Sequence, residues 1–132
     1  MNNEIKELKK SVKNLRVLYS EDEEEMREGT GLFLKKFFTS VDTAIDGEDG
    51  LNQFKEKGYD IVFTDIMMPK IDGLEMLDSI KKIDTNIFSV ALTASEVREE
   101  DIGRASDLYF RKPITYENMI YIMKAIIKKF NL

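Results

Sequence analysis

The sequence predicts a doubly wound α/β domain built on a five-stranded parallel sheet with strand order 2-1-3-4-5. Five short apolar runs alternate with amphipathic helical patterns, and no internal sequence repeat is present. The length of 132 residues suits one ordinary domain. Because crossovers between parallel strands are right-handed, such an alternating chain is restricted to the doubly wound orders, of which 2-1-3-4-5 is the five-stranded form.

The predicted strands are short runs of β-branched and aromatic residues that end at polar or turn residues. The clearest contains Ile61, Val62 and Phe63, begins after Gly58 and stops close to Asp65. The five predicted strands cover residues 15–20, 41–44, 60–64, 86–92 and 108–110.

The predicted helices follow from apolar residues at helical spacing. The last is the clearest, because the apolar positions 116, 119, 120, 123, 127 and 130 fall on one stripe. Ile122 and Ile126 flank that stripe and are expected at the edge of the core, with a half-exposed contact surface as the alternative. The predicted helices run from an acidic segment after the first strand to about residue 38, and over residues 47–57, 73–82, 95–106 and 116–130.

The polar, lysine-rich residues 1–14 are set apart from the domain predicted over residues 15–132. Ile5, Leu8 and Val12 recur there at helical spacing, which favours a short amphipathic helix. The segment could equally be a leader. So short a helix is marginal in isolation, and disorder or a loosely docked helix is as good an interpretation as a functional helix.

Composition excludes several classes of function. The chain has no cysteine and no histidine, which rules out disulfides, thiolate or imidazole metal ligands and Ser-His catalysis. A net charge of −5 argues against direct nucleic-acid binding. No apolar run is long enough to span a membrane and no signal-peptide pattern begins the chain, so a cytoplasmic location is expected.

Ionisable residues follow the predicted strands where a functional site would lie. Glu21 and Asp22 follow the first strand and Asp65 follows the third, and these strands are neighbours in the predicted order. Three converging carboxylates repel one another strongly and favour a bound cation, and Mg²⁺ suits oxygen ligands beside a phosphoryl group. Lys112 after strand five and Thr93 after strand four add a cation and a hydroxyl donor, as phosphoryl transfer requires.

Each of these residues also has an ordinary structural explanation. Acidic residues stabilise the first turn of a helix, Asp commonly closes turns, and a lysine or threonine ending a strand is often a solvated cation or a local cap. The functional interpretation rests on their joint placement at the carboxyl ends of four strands.

Four segments in order carry a resemblance to a known family: RVLYSEDEEEMRE, YDIVFTDIMMPKIDGLEML, ALTA and LYFRKPI. They resemble the successive motifs of the receiver domain of response regulators in bacterial two-component systems, of which the chemotaxis regulator is the minimal example. The resemblance covers about residues 15–130. It implies a flavodoxin-like three-layer sandwich that signals rather than catalyses, apart from its own phosphorylation and dephosphorylation.

The resemblance also implies a role for each matching residue. Asp65 matches the aspartate that accepts a phosphoryl group from a sensor histidine kinase, and Glu21 with Asp22 matches the acidic pair that holds Mg²⁺. The other matches are Met67 as a metal ligand through its backbone carbonyl, Thr93 as the switch hydroxyl, Tyr109 as the switch aromatic, Lys112 as the phosphate-binding lysine, and a cis bond at Lys112-Pro113.

The resemblance further implies partners: a sensor histidine kinase, and a downstream protein or fused output domain, with a phosphorylation-dependent homodimer as a further expectation. The chain departs from the family's pattern in two places. It is a few residues shorter between Thr93 and Tyr109, which predicts a trimmed fourth helix in residues 95–106, and Ser106 stands where an acidic or glycine residue is usual.

Three rival functions share parts of this pattern. A Mg²⁺-dependent aspartyl phosphatase or phosphotransferase of the haloacid-dehalogenase group needs a second acid two residues after the nucleophile, where this chain has Met67. A nucleotide or flavin module needs an anion-binding loop after strand one, where this chain has residues 21–25, all acidic. A degenerate receiver that serves only as a docking module is the third alternative.

Overall fold

The central feature of the computed structural model, which describes residues 3–94, 102 and 105–132, is a five-stranded parallel sheet. Its strand order, β2-β1-β3-β4-β5, confirms the predicted topology. The strands are β1 (Arg16–Ser20), β2 (Ser40–Ala44), β3 (Ile61–Asp65), β4 (Phe88–Thr93) and β5 (Leu108–Arg111).

Helices cover both faces of the sheet. Those that the structure describes along their full length are α1 (Asn3–Val12), α2 (Glu24–Lys35), α3 (Gly47–Lys57), α4 (Gly73–Ile83) and α5 (Tyr116–Phe130). Asp46 and Asp72 begin α3 and α4 by accepting from the backbone N–H three residues on, and Thr115 and Asn118 form a capping box at α5. The helix predicted over residues 95–106 lies largely outside the described residues.

Alternation along the strands divides the core between the two faces. Tyr19 and Phe63 pack on one face with residues of α1, α2 and α5, whereas Leu18 and Val62 pack on the other with residues of α3 and α4. All four side chains are fully buried. Both faces of β1 and β3 are therefore covered, as in a three-layer sandwich.

The first helix, α1, packs against α5. Ile5 and Val12 of α1 share a buried cluster with Ile122 and Ile126, which are fully buried. Their burial agrees with the core position expected for them and rules out the half-exposed alternative. Tyr116, placed on the predicted core stripe, is instead 43% exposed. Helix α5 packs against α1 as well as against the sheet. Its buried face is therefore rotated away from the face predicted for a helix that contacts only the sheet.

The segment after α2 also differs from the prediction. The helix ends at Lys35 rather than near residue 38, yet Phe37 and Phe38 beyond it are only 2% and 1% exposed. Phe37 packs edge to face against Phe33, and Phe38 packs against Phe63. The apolar spacing continues beyond the end of α2 because Phe37 and Phe38, although they lie in the turn that follows the helix, are buried in the same core.

Candidate functional site

The carboxyl ends of β1, β3, β4 and β5 bring the predicted site residues to one edge of the sheet. The register pairs Ser20 with Thr64, Asp65 with Leu92 and Thr93 with Arg111. Glu21 follows β1 directly, and its N–H donates to the carbonyl oxygen of Ala44 on β2. The edge predicted from the sequence is therefore the edge at which these side chains meet.

Three carboxylates form the acidic part of this site. One oxygen each from Glu21, Asp22 and Asp65 lies within 4.8 Å of the others. Glu21 is 1% exposed and Asp65 is 7% exposed, whereas Asp22 faces solvent. Two of the three carboxylates are thus buried. Their mutual repulsion is screened less in the protein interior than it would be in water.

Lys112 supplies the counter-charge. Its Nζ lies 2.9 Å from Oε1 of Glu21 and 3.2 Å from Oδ2 of Asp65, and its side chain is 7% exposed. Burial alone would lower the pKa of Lys112, but the hydrogen bond to Glu21 and the charges of Asp65 and Glu21 outweigh it, so the pKa is raised. The lysine therefore stays cationic, and the two buried carboxylates share its ammonium.

Backbone contacts fix the Asp65 carboxylate. Its Oδ1 accepts from the N–H of Ile66 at 2.9 Å, while Oδ2 faces Lys112. Directly beside it, the N–H of Gly73 donates to the carbonyl of Ile66 at 2.8 Å. A Cβ atom at Gly73 would lie 2.0 Å from the carbonyl oxygen of Asp65, so only glycine permits this approach of α4 to the end of β3.

Arg27 is a residue of the site that the sequence analysis missed. Its Nη1 donates to the carbonyl oxygen of Glu21 at 2.9 Å and to that of Asp22 at 3.4 Å, which ties the acidic loop to the first turns of α2. The available signal was a single basic residue in residues 21–28, where all the other residues except Met26 are acidic. Its partners are backbone carbonyls, which no side-chain pattern reveals.

Tyr19 is a second residue that the sequence analysis missed. Its hydroxyl is fully buried, and it makes no hydrogen bond within the part of the chain that the structure describes. Thr30 and Glu21 lie beside it without meeting it in hydrogen-bond geometry. Burial, followed by the charges of Glu21 and Asp65, raises the pKa of Tyr19, so this hydroxyl stays neutral next to the carboxylates.

The remaining predicted site residues lie on, or just after, β3, β4 and β5. Thr93 ends β4 at 7% exposure, and its carbonyl oxygen accepts from the N–H of Lys112 at 2.8 Å. Tyr109 on β5 is 38% exposed, and the side chain of Met67 is 67% exposed. The Lys112-Pro113 peptide bond is cis, which confirms that expectation.

Ser106 and Asp107 build the approach to β5. The hydroxyl of Ser106 accepts from the N–H of Ala91 at 3.1 Å and donates to the carbonyl oxygen of Leu108. The carboxylate of Asp107 accepts from the N–H of Ser89 at 2.8 Å, and the Ser89 hydroxyl accepts from the N–H of Asp107 at 3.0 Å. A serine at position 106 thus extends the hydrogen bonding between β4 and β5.

A family comparison gives this geometry its context. A sequence model of the response regulator receiver domain matches residues 17–124. The chain belongs to this family. Lys112, Glu21 and Asp65 all lie within the matched part, whereas α1 precedes it.

Curated relatives of this receiver domain are longer proteins. The transcriptional regulatory protein RprY of Bacteroides fragilis is 30% identical over 122 residues, which cover 87% of this chain and 50% of the relative. The response regulator ArlR of Staphylococcus aureus is 29% identical over 115 residues, covering 86% of this chain and 52% of the relative. The chain therefore spans about half the length of these relatives.

Solved structures share the fold. A receiver domain protein from Clostridium thermocellum superposes with a TM-score of 0.79 at 26% identity, covering 89% of this chain and 97% of that one. The response regulator TrrA of Thermotoga maritima, solved in complex with Mg²⁺-BeF, gives a TM-score of 0.76 at 32% identity, covering 85% and 98%. Among the described helices, none is long and apolar enough to cross a membrane.

Proposed function

We propose that this receiver domain accepts a phosphoryl group on Asp65 from a sensor histidine kinase and passes the change to an output partner. One observation carries the proposal: the Asp65 carboxylate lies 3.2 Å from a buried lysine ammonium and within 4.8 Å of two further carboxylates. A nucleophilic carboxylate, a fixed cation and a set of oxygen ligands are what phosphoryl transfer to an aspartate needs.

The donor set fits Mg²⁺. Glu21, Asp22 and Asp65 offer hard oxygen ligands within reach of one ion, and the exposed side of Asp22 leaves room for the waters that Mg²⁺ retains. The backbone carbonyl of Met67 is assigned as a further ligand, a role that leaves its exposed side chain unconstrained. When bound, the ion would neutralise charge on the incoming phosphoryl group. The Mg²⁺-BeF complex of TrrA supports this assignment by similarity.

The transfer balances as a displacement at phosphorus. An Asp65 oxygen forms the new bond to phosphorus, and the bond between phosphorus and the donor's imidazole nitrogen breaks, leaving its electron pair on nitrogen. Lys112 is cationic and contacts Asp65, and we assign it to stabilise the negative charge on the phosphoryl oxygens during and after the transfer. No proton has to be removed from Asp65, because a carboxylate attacks directly.

The output step is assigned to Thr93 and Tyr109. Parallel pairing sets Ala91 opposite Tyr109 and Thr93 opposite Arg111, so Thr93 and Tyr109 lie diagonally on one face of the sheet. We assign the Thr93 hydroxyl to the phosphoryl group and the Tyr109 ring to the space beside the small Ala91 side chain. The recipient is a downstream protein, a fused output domain or a second copy of the chain. The domain is assigned to residues 15–132, with residues 1–14 as an N-terminal extension, and to the cytoplasm.

Incubation with Mg²⁺ and acetyl phosphate, read by intact mass, tests the acceptor. The expected result is one added phosphoryl group in the wild type and none in Asp65→Asn or under chelation. Asp72→Asn is the matched control, because Asp72 caps α4 without belonging to the carboxylate cluster, and it should be modified like the wild type. An unmodified wild type would instead support a degenerate receiver that only docks.

A further inference from the structure

A groove of about 390 Å³ lies at the opposite edge of the sheet from Asp65, between α1 and the end of α2. Its position follows from Thr39, which directly precedes β2, and from Lys13, which shortly precedes β1. The amino ends of parallel strands share one edge, so the groove is remote from the phosphorylation site. The groove is lined by Phe37, Phe38, Thr39 and six lysines: Lys6, Lys9, Lys10, Lys13, Lys35 and Lys36.

Three of these lysines lie on one face of α1, and Lys13 directly follows the helix at the same spacing. Positions 6, 9, 10 and 13 recur at the three- and four-residue steps that align side chains along a helix. The apolar positions of the same helix, Ile5 and Val12, are buried in the core with α5. The N–H and hydroxyl of Thr39 both donate to the carbonyl of Lys13, at 2.9 and 2.7 Å, which joins the two walls of the groove.

Six lysines line this groove, and ammonium groups gathered on one surface repel one another, a repulsion that a bound anion would relieve. Lys10 pairs with Glu7 at 3.3 Å, but both side chains are more than two-thirds exposed, where such a pair contributes little. Lys9 lies 6.0 Å from the centre of the Phe37 ring, which is a cation–π contact. The groove is therefore a positive pole on a chain whose net charge is −5.

The lining selects among anionic partners. Carbon atoms make up most of it, as expected where lysine stems form the walls and their ammonium groups the rim. Phe37 and Phe38 are 2% and 1% exposed, so neither ring offers a face on which a nucleic-acid base could stack. A flat membrane surface cannot enter a concave groove, and the apolar face of α1 is already buried in the core.

We propose that this groove binds an acidic, amphipathic segment of a protein partner, with its carboxylates on the lysine rim and an apolar side chain between the lysine stems. Helix α1 lies before the part of the chain that the family model matches, so one wall of the groove belongs to this chain's extension, whereas residues 35–39 of the other wall lie within the matched part. The proposal does not depend on phosphorylation of Asp65.

The probe is a fluorescein-labelled helical peptide with glutamate on one face and leucine on the other, measured by fluorescence anisotropy. The groove variant is Lys6→Glu/Lys13→Glu, and the control is Lys55→Glu/Lys82→Glu, which changes net charge equally on α3 and α4. Wild type and control should bind alike and more weakly as salt rises, and the groove variant should lose about tenfold in affinity. A glutamine-for-glutamate peptide should not bind.

Two further arms make the result decisive. Lys6→Gln/Lys13→Gln removes the two charges without reversing them and should bind the peptide with intermediate affinity. Circular dichroism shows whether the charge-reversal variant is folded, and the glutamine variant keeps the test valid if it is not. Phosphatidylserine vesicles and a single-stranded oligonucleotide are offered in parallel. Failure of the wild type to bind the acidic peptide, equal binding by both charge-reversal variants, or a groove-dependent preference for vesicles or oligonucleotide would overturn the proposal.

Discussion

The ammonium of Lys112 lies 2.9 Å from Oε1 of Glu21, closer than its 3.2 Å distance to Oδ2 of Asp65. The lysine therefore holds together two buried acids that would otherwise repel each other, and it is also the cation assigned to the phosphoryl group. Lys112 therefore has two assigned roles, one in stability and one in phosphoryl transfer. The two can be tested separately, because a bound Mg²⁺ would also neutralise the two acids and so restore stability without the lysine.

Lys112→Met should lower the free energy of unfolding by roughly 3 kcal/mol, because it leaves buried carboxylates without their partner. Added Mg²⁺ should recover part of that loss by supplying a different cation. Urea unfolding with and without Mg²⁺ measures both effects. Lys82→Met is the control, since Lys82 pairs with Asp78 where both side chains are largely exposed, and it should change stability by less than about 0.5 kcal/mol. Equal losses in the two variants would contradict the assigned role.

Mg²⁺ should raise the melting temperature of the wild type. A ligand that binds only the folded state stabilises it by about 2.7 kcal/mol at a hundredfold excess over Kd. Asp22→Ala should remove most of this rise at little cost to the metal-free protein, because Asp22 faces solvent. Glu24→Ala, in the same acidic run but outside the carboxylate cluster, should keep the rise. Melting curves that ignore Mg²⁺ would mean that these carboxylates are not a metal site.

Gly73→Ala should destabilise the protein and disturb the Asp65 pocket. The added Cβ would meet the carbonyl oxygen of Asp65 at 2.0 Å, and this oxygen belongs to backbone that can yield only by moving the end of β3. Gly29→Ala is the matched control, since nothing lies within 4 Å of its added Cβ, and it should stabilise α2 by about 1 kcal/mol. Thermal melts and acetyl phosphate labelling of both variants check the contrast, and a harmless Gly73→Ala would refute the packing argument.

Much of the fold was predictable because hydrophobic periodicity reports local burial. The bounds of Gly47–Lys57 and Tyr116–Phe130 were predicted from spacing, caps and glycine positions, and the strand order followed from right-handed crossovers. Only part of the buried face of α5 was predictable in this way. Ile122 and Ile126 are buried partly because α1 packs there, and periodicity within one helix does not reveal which distant segment covers it.

The candidate site was also predictable only in part. Glu21, Asp65 and Lys112 could be placed together because parallel strands end at one edge, a rule that needs only the strand order. The contacts of Arg27 with the carbonyls of Glu21 and Asp22 depend on side-chain reach and backbone direction, which emerge only in three dimensions. The same holds for the Tyr19 hydroxyl, which has no hydrogen-bond partner among the described residues. Its position in an apolar strand indicates burial and not what surrounds the oxygen.

Stability should fall at alkaline pH through Tyr59. Burial, followed by the hydrogen bond to Asp42 at 2.7 Å and the charge of Asp42, raises the pKa of Tyr59, and Arg16 opposes this only in part. A group whose pKa is higher in the folded state contributes fully below its unfolded pKa of about 10 and loses that contribution as pH rises further. Urea unfolding from neutral pH to about pH 11 should show this decline. Tyr59→Phe should be less stable at neutral pH but show a shallower decline, with Tyr19 accounting for part of what remains. Identical slopes would exclude Tyr59 as a contributor.

Beryllofluoride, a phosphoryl mimic, should shift NMR signals beyond the Asp65 pocket. Thr93 lies at the end of β4, diagonally across from Tyr109 on the same face, and the Ala91 side chain opposite Tyr109 is small. Drawing the Thr93 hydroxyl toward the bound mimic should let the Tyr109 ring turn inward and move the surface formed by β5 and α5, by an amount set by the mimic's differential affinity for the two states. Thr93→Ala should confine the shifts to the pocket, whereas Thr43→Ala, at an exposed position of β2, should leave them as in the wild type. Wild-type shifts that stop short of Tyr109 and α5 would mean that the domain does not signal through this face.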